Sequence, residues 1–135
     1  KSQLRFGLNV AGAYPEAASC KFWNRTYTLK RTSQPELVIE DQFSLKEYKG
    51  ESKQHFTTTQ LPVLVKAGEI KLKEKGEKSI KFYYPAAIFE IKIEELPLTD
   101  KRLLTSWKQD KLYRIILTDK KKLLLNNYKL RIAEN

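Results

Sequence analysis

Phe22-Trp23-Asn24-Arg25-Thr26-Tyr27-Thr28-Leu29-Lys30, a turn at Arg31–Pro35, then Leu37-Val38-Ile39-Glu40-Asp41-Gln42-Phe43-Ser44-Leu45 decide the fold class. The first segment alternates Trp23, Arg25, Tyr27 and Leu29 against Phe22, Asn24, Thr26 and Thr28. A period of two in aromatic and β-branched residues is the pattern of a strand. Leu37–Tyr48 continues it, with Leu37, Ile39, Phe43 and Leu45 on one face and Glu40, Gln42, Ser44 and Lys46 on the other. Asp41 interrupts the apolar face. Either a bulge re-aims it or it has a buried basic partner, Arg25 first and Arg114 second.

The same period recurs outward in both directions. Gln3–Val10 sets Leu4, Phe6, Leu8 and Val10 on one face, and Ala11–Ser19 reads as a loop. Further strands are expected at Ser52–Thr59, Val63–Val65, Ile70–Leu72, Ser79–Tyr84, Phe89–Ile93, Lys111–Thr118 and Tyr128–Ile132, with a polar turn at Lys73–Lys78. Lys111–Thr118 is apolar on both faces, so both are expected to be covered. Only Pro97–Lys108 breaks the pattern, with room for a helical turn near Lys101–Trp107. Nine or ten strands at this spacing predict an all-β, antiparallel two-sheet β-sandwich rather than βαβ units. The expected core is Leu37, Ile39, Phe43, Leu45, Phe56, Ile80, Phe82, Phe89, Ile91, Ile93, Ile115 and Leu117.

At 135 residues the chain fits one domain, 1–135, with enough length to bury a core without disulfides. No apolar run spans a bilayer and no basic amphipathic helix is evident, so no membrane partner is expected. With no methionine in the chain, Lys1 is expected not to be a translation start and the chain is expected to be a processed or excised piece. One Cys and one His exclude an internal disulfide and a Cys/His zinc site.

The formal charge of +10 is uneven. Residues 1–35 hold six cations and one acid, residues 36–100 ten and twelve, and residues 101–135 ten and three. Such a balance points to an acidic partner, or simply to solubility. The longest basic run, Lys120–Lys122, lacks the glycines and aromatics of an RNA-binding strand, so nucleic acid is not expected. Terminal strands of a sandwich are often neighbours. Arg5, Lys21, Arg25, Lys30 and Arg31 are therefore expected to join Lys101, Arg102, Lys108, Lys111, Lys129 and Arg131 in one basic field.

Catalytic groups are scarce. His55 lies on a strand, and Cys20 reads as a passive thiol unless His55 stands beside it. Glu94-Glu95 and Glu40-Asp41 are adjacent on strands, so each pair splits between two faces and cannot act together. No phosphate or calcium loop is present. Asn24-Arg25-Thr26 is a glycosylation sequon in mid-strand. Trp23, Tyr27, Tyr83, Tyr84, Trp107 and Tyr113 would stack on sugar rings where exposed, but a sandwich core claims most aromatics. Trp107 is the exception, because Thr105–Asp110 around it is polar.

Pro97-Leu98-Thr99-Asp100-Lys101-Arg102-Leu103, then Ser106-Trp107 and Lys111-Leu112-Tyr113-Arg114-Ile115-Ile116-Leu117, resemble the C-terminal end of bacterial heparinase II/III-like proteins. Gly12–Ala18, Trp23-Asn24-Arg25 and Val38–Asp41 look like the β-region of the same proteins. The resemblance implies the last β-sandwich of a polysaccharide lyase acting on uronic-acid polymers, in a periplasmic or secreted bacterial protein. Catalytic tyrosines and histidines, and zinc where present, belong mainly to the preceding domains. No catalytic, metal or cofactor residue carries over. The implied partners are upstream domains of the same polypeptide and anionic polysaccharide. Candidate substrate contacts are Arg25, Lys101, Arg102, Trp107 and Lys108. The alternative is a free-standing carbohydrate-binding or adhesion module; a small enzyme using His55 is a third reading.

Overall fold

The computed structural model describes residues 2–72 and 79–134, and the expected turn at Lys73–Lys78 lies outside them. Ten strands form among the described residues: β1 (Gln3–Asn9), β2 (Cys20–Lys30), β3 (Glu36–Leu45), β4 (Lys53–Thr58), β5 (Pro62–Lys66), β6 (Glu69–Leu72), β7 (Ile80–Tyr83), β8 (Phe89–Pro97), β9 (Lys111–Asp119) and β10 (Leu125–Glu134). Every pairing is antiparallel. One sheet has seven strands in the order β1-β2-β3-β10-β7-β6-β5, and the other has three, β4-β9-β8. The expected all-β, two-sheet sandwich is the observed architecture.

The β2–β3 hairpin sets the inner face. Its register pairs Leu29 with Leu37, Tyr27 with Ile39, Arg25 with Asp41 and Trp23 with Phe43. β10 continues the row by placing Tyr128 beside Asp41 and Leu130 beside Ile39. The three-stranded sheet closes over this floor. Phe56 meets Phe82 at 4.9 Å between ring centroids, and Phe89 meets Tyr128 edge-on at 4.7 Å. The buried core contains Ile39, Phe43, Leu45, Phe82, Phe89, Ile115 and Leu117 from the expected set, with Leu37, Phe56 and Ile91 packed partly buried against it. Ile80 and Ile93 are half-buried. Trp23, Ile70, Tyr84, Tyr128 and Leu130 complete the core. Leu112 and Ile116, on the opposite face of β9, are buried too, as the two-faced pattern predicts.

Two places add to the sequence reading. The stripe Leu4, Phe6 and Leu8 stays exposed, because β1 is the outermost strand and three strands cannot cover seven. The loop before β2 contains short 3-10 turns at Ala11–Ala13 and Glu16–Ala18. The helix falls where expected, as α1 (Lys101–Trp107). The Asp100 side chain caps it by accepting from the Arg102 N–H at 2.8 Å, and Lys108 ends it at φ 53°.

Candidate functional site

Arg25 is committed to the interior. Its Nε and Nη2 donate to the two carboxylate oxygens of Asp41 at 2.7 and 2.6 Å, the directly paired residue on β3. Tyr128 Oη donates to the same carboxylate at 2.7 Å, and Arg25 Nη2 also donates to Gln54 of β4. The Asp41 side chain is fully buried and that of Arg25 is 19% exposed. The hydrogen bond to Asp41 holds the guanidinium charged, and burial followed by the Asp41 charge pushes the Tyr128 phenol far above its ordinary range. The network ties the two sheets together through polar groups. Arg114 pairs with Glu94 in register on the other sheet, so the first-choice partner for Asp41 is the one found.

Lys101, Arg102, Trp107 and Lys108 lie on and just after α1, at the tip between β8 and β9. Trp107 is 47% exposed there, and α1 buries none of its residues. Arg102 Nη2 pairs with Asp100 at 3.2 Å. β1 is separated from β10 by β2 and β3, but β2 and β10 both flank β3, so Lys30 and Arg131 of the two basic ends meet at Glu36. Acids also answer many of these cations: Lys30 and Arg131 pair with Glu36, Lys129 with Glu40 and Lys111 with Glu95.

A second basic surface stands at the opposite end of β9, roughly 30 Å from the α1 tip at ~3.3 Å per residue. Three loops are tied together there. Lys46 N donates to Ser19 O, Leu45 N to Leu124 O and Asp119 N to Ser52 O. The Asp119 carboxylate is buried and holds the next loop by accepting from Lys121 N at 2.7 Å. Lys46, Lys120, Lys121 and Lys122 are exposed and make no ion pair with a described residue. Lys49 and Lys53 pair with Glu47 and Glu51 at 2.5 Å each, and these pairs hold both glutamates below their ordinary range.

Beside these lysines is a cleft of about 280 Å³ lined by Tyr14, Ala18, Cys20, Trp23, Leu45, Tyr48, Lys49, Glu51, Ser52 and Lys53. Trp23 stacks on Phe43 at 4.5 Å and meets Tyr14, which is half-exposed, at 6.3 Å. The buried Trp23 Nε1–H finds no acceptor among the described residues. Burial raises the Cys20 thiol, so it is a poor nucleophile here. Tyr14 and Tyr48 escaped the sequence reading. Their signals were an aromatic in a small-residue loop, Gly12-Ala13-Tyr14-Pro15, and one just before Lys49-Gly50.

His55 is exposed on β4, beside Ile116 of β9. Among the described residues no group of three or more His, Cys, Asp or Glu is placed to hold a metal ion. No described helix is long and apolar enough to cross a membrane. No protein-family model matches the chain, and no curated protein is significantly similar to it.

Proposed function

We propose that this chain is a non-catalytic β-sandwich module that holds acidic polysaccharide. On this reading it resembles the C-terminal module of a heparinase II/III-like lyase and works beside catalytic domains of the same polypeptide, in a periplasmic or secreted bacterial protein. The observation that carries the binding part is the lysine-rich end. Lys46, Lys120, Lys121 and Lys122 make no ion pair with a described residue and lie beside a cleft walled by Tyr14, Trp23 and Tyr48. Cations without internal partners attract carboxylate and sulfate groups at no cost in broken ion pairs. Aromatic faces stack on the apolar faces of sugar rings. The α1 tip, with half-exposed Trp107 between Lys101 and Lys108, offers a second contact of the same chemistry. The lyase affiliation rests on the sequence resemblance.

Elimination from a uronate needs a cation at the carboxylate, a positioned base and an acid at the leaving oxygen. The surfaces described supply the cations, and the catalytic pair is assigned to other domains. Retention on immobilised heparin tests the binding. The protein is expected to bind at low salt and to elute early in a salt gradient, because exposed charges are screened within ~8 Å at physiological ionic strength. Lys120→Glu/Lys121→Glu/Lys122→Glu is expected to elute earlier still. Equal elution of the triple variant, or flow-through of the unmodified protein, overturns the reading. New ultraviolet absorbance from unsaturated uronate, abolished by a substitution in this chain, overturns the non-catalytic part.

A further inference from the structure

Among the described residues four strand edges are unpaired in a sandwich of two open sheets, and free edges are normally blunted against association. β5 carries Pro62, Lys66 and a register shift between Leu64 and Lys66. β8 alternates Glu90, Lys92 and Glu94 along its exposed side, and β4 is six residues long and starts at Lys53. β1 has none of these devices. Its seven residues pair with β2 without a bulge, contain no proline and carry one charge, Arg5. Leu4, Phe6 and Leu8 project from it on the inner face of the sheet, and Phe6 is 63% exposed even though it stacks on Tyr27 at 4.8 Å.

The hydrogen-bond parity of β1 is readable. Arg31 N donates to Ser2 O and Val10 N to Trp23 O, in the same register that pairs Leu4 with Leu29 and Leu8 with Arg25. Even-numbered residues therefore bond to β2. In an antiparallel ladder the alternate residues then turn both backbone groups outward, which assigns Gln3, Arg5, Gly7 and Asn9 to the free edge.

We propose that β1 is a dimerisation edge and that its occupant is β1 of a second copy, antiparallel, with the two-fold axis at Phe6. In that register Arg5 faces Gly7 of the other copy and Gln3 faces Asn9, so all four outward-turned residues bond to one another. Leu4 then lies against Leu8, and Phe6 against Phe6, on one face. No like charges are opposed, and each Arg5 lies over a residue with no side chain. The strand is complementary to itself in hydrogen-bond parity, apolar pattern and charge, as an isologous interface requires. Joining two inner faces also extends the apolar stripe that three strands leave uncovered.

Cross-linking reads the register directly. In a Cys20→Ser background, Phe6→Cys places two thiols on the axis. That is a non-hydrogen-bonded pair, with Cα atoms about 4.5 Å apart and within disulfide range. It is expected to give covalent dimer on oxidation. Leu4→Cys alone is expected to give none, whereas a mixture of Leu4→Cys and Leu8→Cys is expected to give the mixed dimer. Sedimentation of the unmodified protein is expected to show mass rising from 15.8 kDa towards twice that with concentration, and more readily at higher salt as the +10 charges are screened. Gly7→Pro removes an outward N–H and leaves the β2 ladder intact, so it is expected to stay monomeric with unchanged circular dichroism. Arg5→Pro serves the same purpose should Gly7→Pro misfold. A monomer at every concentration, or cross-linking as efficient through Leu4→Cys as through Phe6→Cys, overturns the proposal.

Discussion

Removing both partners of the Arg25–Asp41 pair is expected to cost far less than the sum of removing each. Breaking a buried ion pair on one side typically costs about 3–5 kcal/mol, because an uncompensated charge is left in the interior. Here the two sides are unequal. Asp41 has no exposed side-chain surface, whereas Arg25 retains 19%. Arg25→Leu strands a carboxylate that water cannot reach, with only the Tyr128 hydroxyl donating to it, so its cost belongs inside that range, about 3–4 kcal/mol. Asp41→Leu strands a guanidinium that still donates to Gln54 and touches solvent, and about 2 kcal/mol is expected. Independent effects would add to about 5–6 kcal/mol. The Arg25→Leu/Asp41→Leu double variant should instead cost about 1–3 kcal/mol, the penalty of the buried Tyr128 hydroxyl left without an acceptor and of the buried Gln54 oxygen left without its donor. Adding Tyr128→Phe should recover the hydroxyl's part of that cost, about 1 kcal/mol, and leave the part due to Gln54. Urea unfolding followed by circular dichroism at neutral pH measures all four, provided the slope is unchanged. Additive singles, or Asp41→Leu costing more than Arg25→Leu, would refute the reasoning.

Phe82→Ala should cost about 3–5 kcal/mol by the same assay, since Phe82 is buried against Phe56 between the two sheets. Gly68→Ala should cost about 1–2 kcal/mol: Gly68 sits at φ 86° in the β5–β6 turn, where an added Cβ would lie 3.0 Å from Tyr84 O. Gly12→Ala, with nothing within 4 Å of its added Cβ, should be near neutral. Lys30, and after it Arg131, hold the Glu36 carboxyl below its ordinary value of 4.5. A depressed carboxyl stabilises the fold above its unfolded pKa and loses that contribution as pH falls through the folded one. The Tm of the parent should therefore drop more steeply below pH ~4.5 than that of Glu36→Gln, as differential scanning calorimetry would show.

Period-two patterning located the ten strands because all of them pair antiparallel, with one face in and one out. Asp41 was legible for the same reason. A carboxylate at an inward position demands a cation, and the hairpin places Arg25 directly across from it. What patterning lacks is neighbour order. Leu4, Phe6 and Leu8 show the same period of two as the buried strands, and only the sheet order makes β1 an edge. The candidate site was hidden similarly. Lys46 and Lys120–Lys122 lie in loops far apart in sequence, and they meet because β3 and β9 end on the same side of the sandwich. Arg25 drew attention as a cation, but its register partner draws it into the half-buried polar network between the sheets. Trp107 was recognised from its polar surroundings, which no strand pattern could have buried.

The two proposed surfaces have a joint consequence. β1 runs from Gln3 to Asn9 towards the loop at Ala11–Ser19, and so towards the lysine-rich end. An antiparallel β1–β1 junction therefore points the two lysine-rich ends in opposite directions. No short oligosaccharide could engage both. A long polymer could, and its second contact would be made at the effective concentration set by the first. Short heparin fragments should then bind the unmodified protein and the monomeric Gly7→Pro variant equally. Long heparin should bind the unmodified protein more tightly, with the gap widening as chain length grows. Titrations with fragments of graded length, at a protein concentration where the unmodified chain is dimeric, measure this. A gap that is the same for the shortest fragments as for the longest would show that Gly7→Pro damages the binding surface itself. No gap at any length would mean that the two ends never share one polymer.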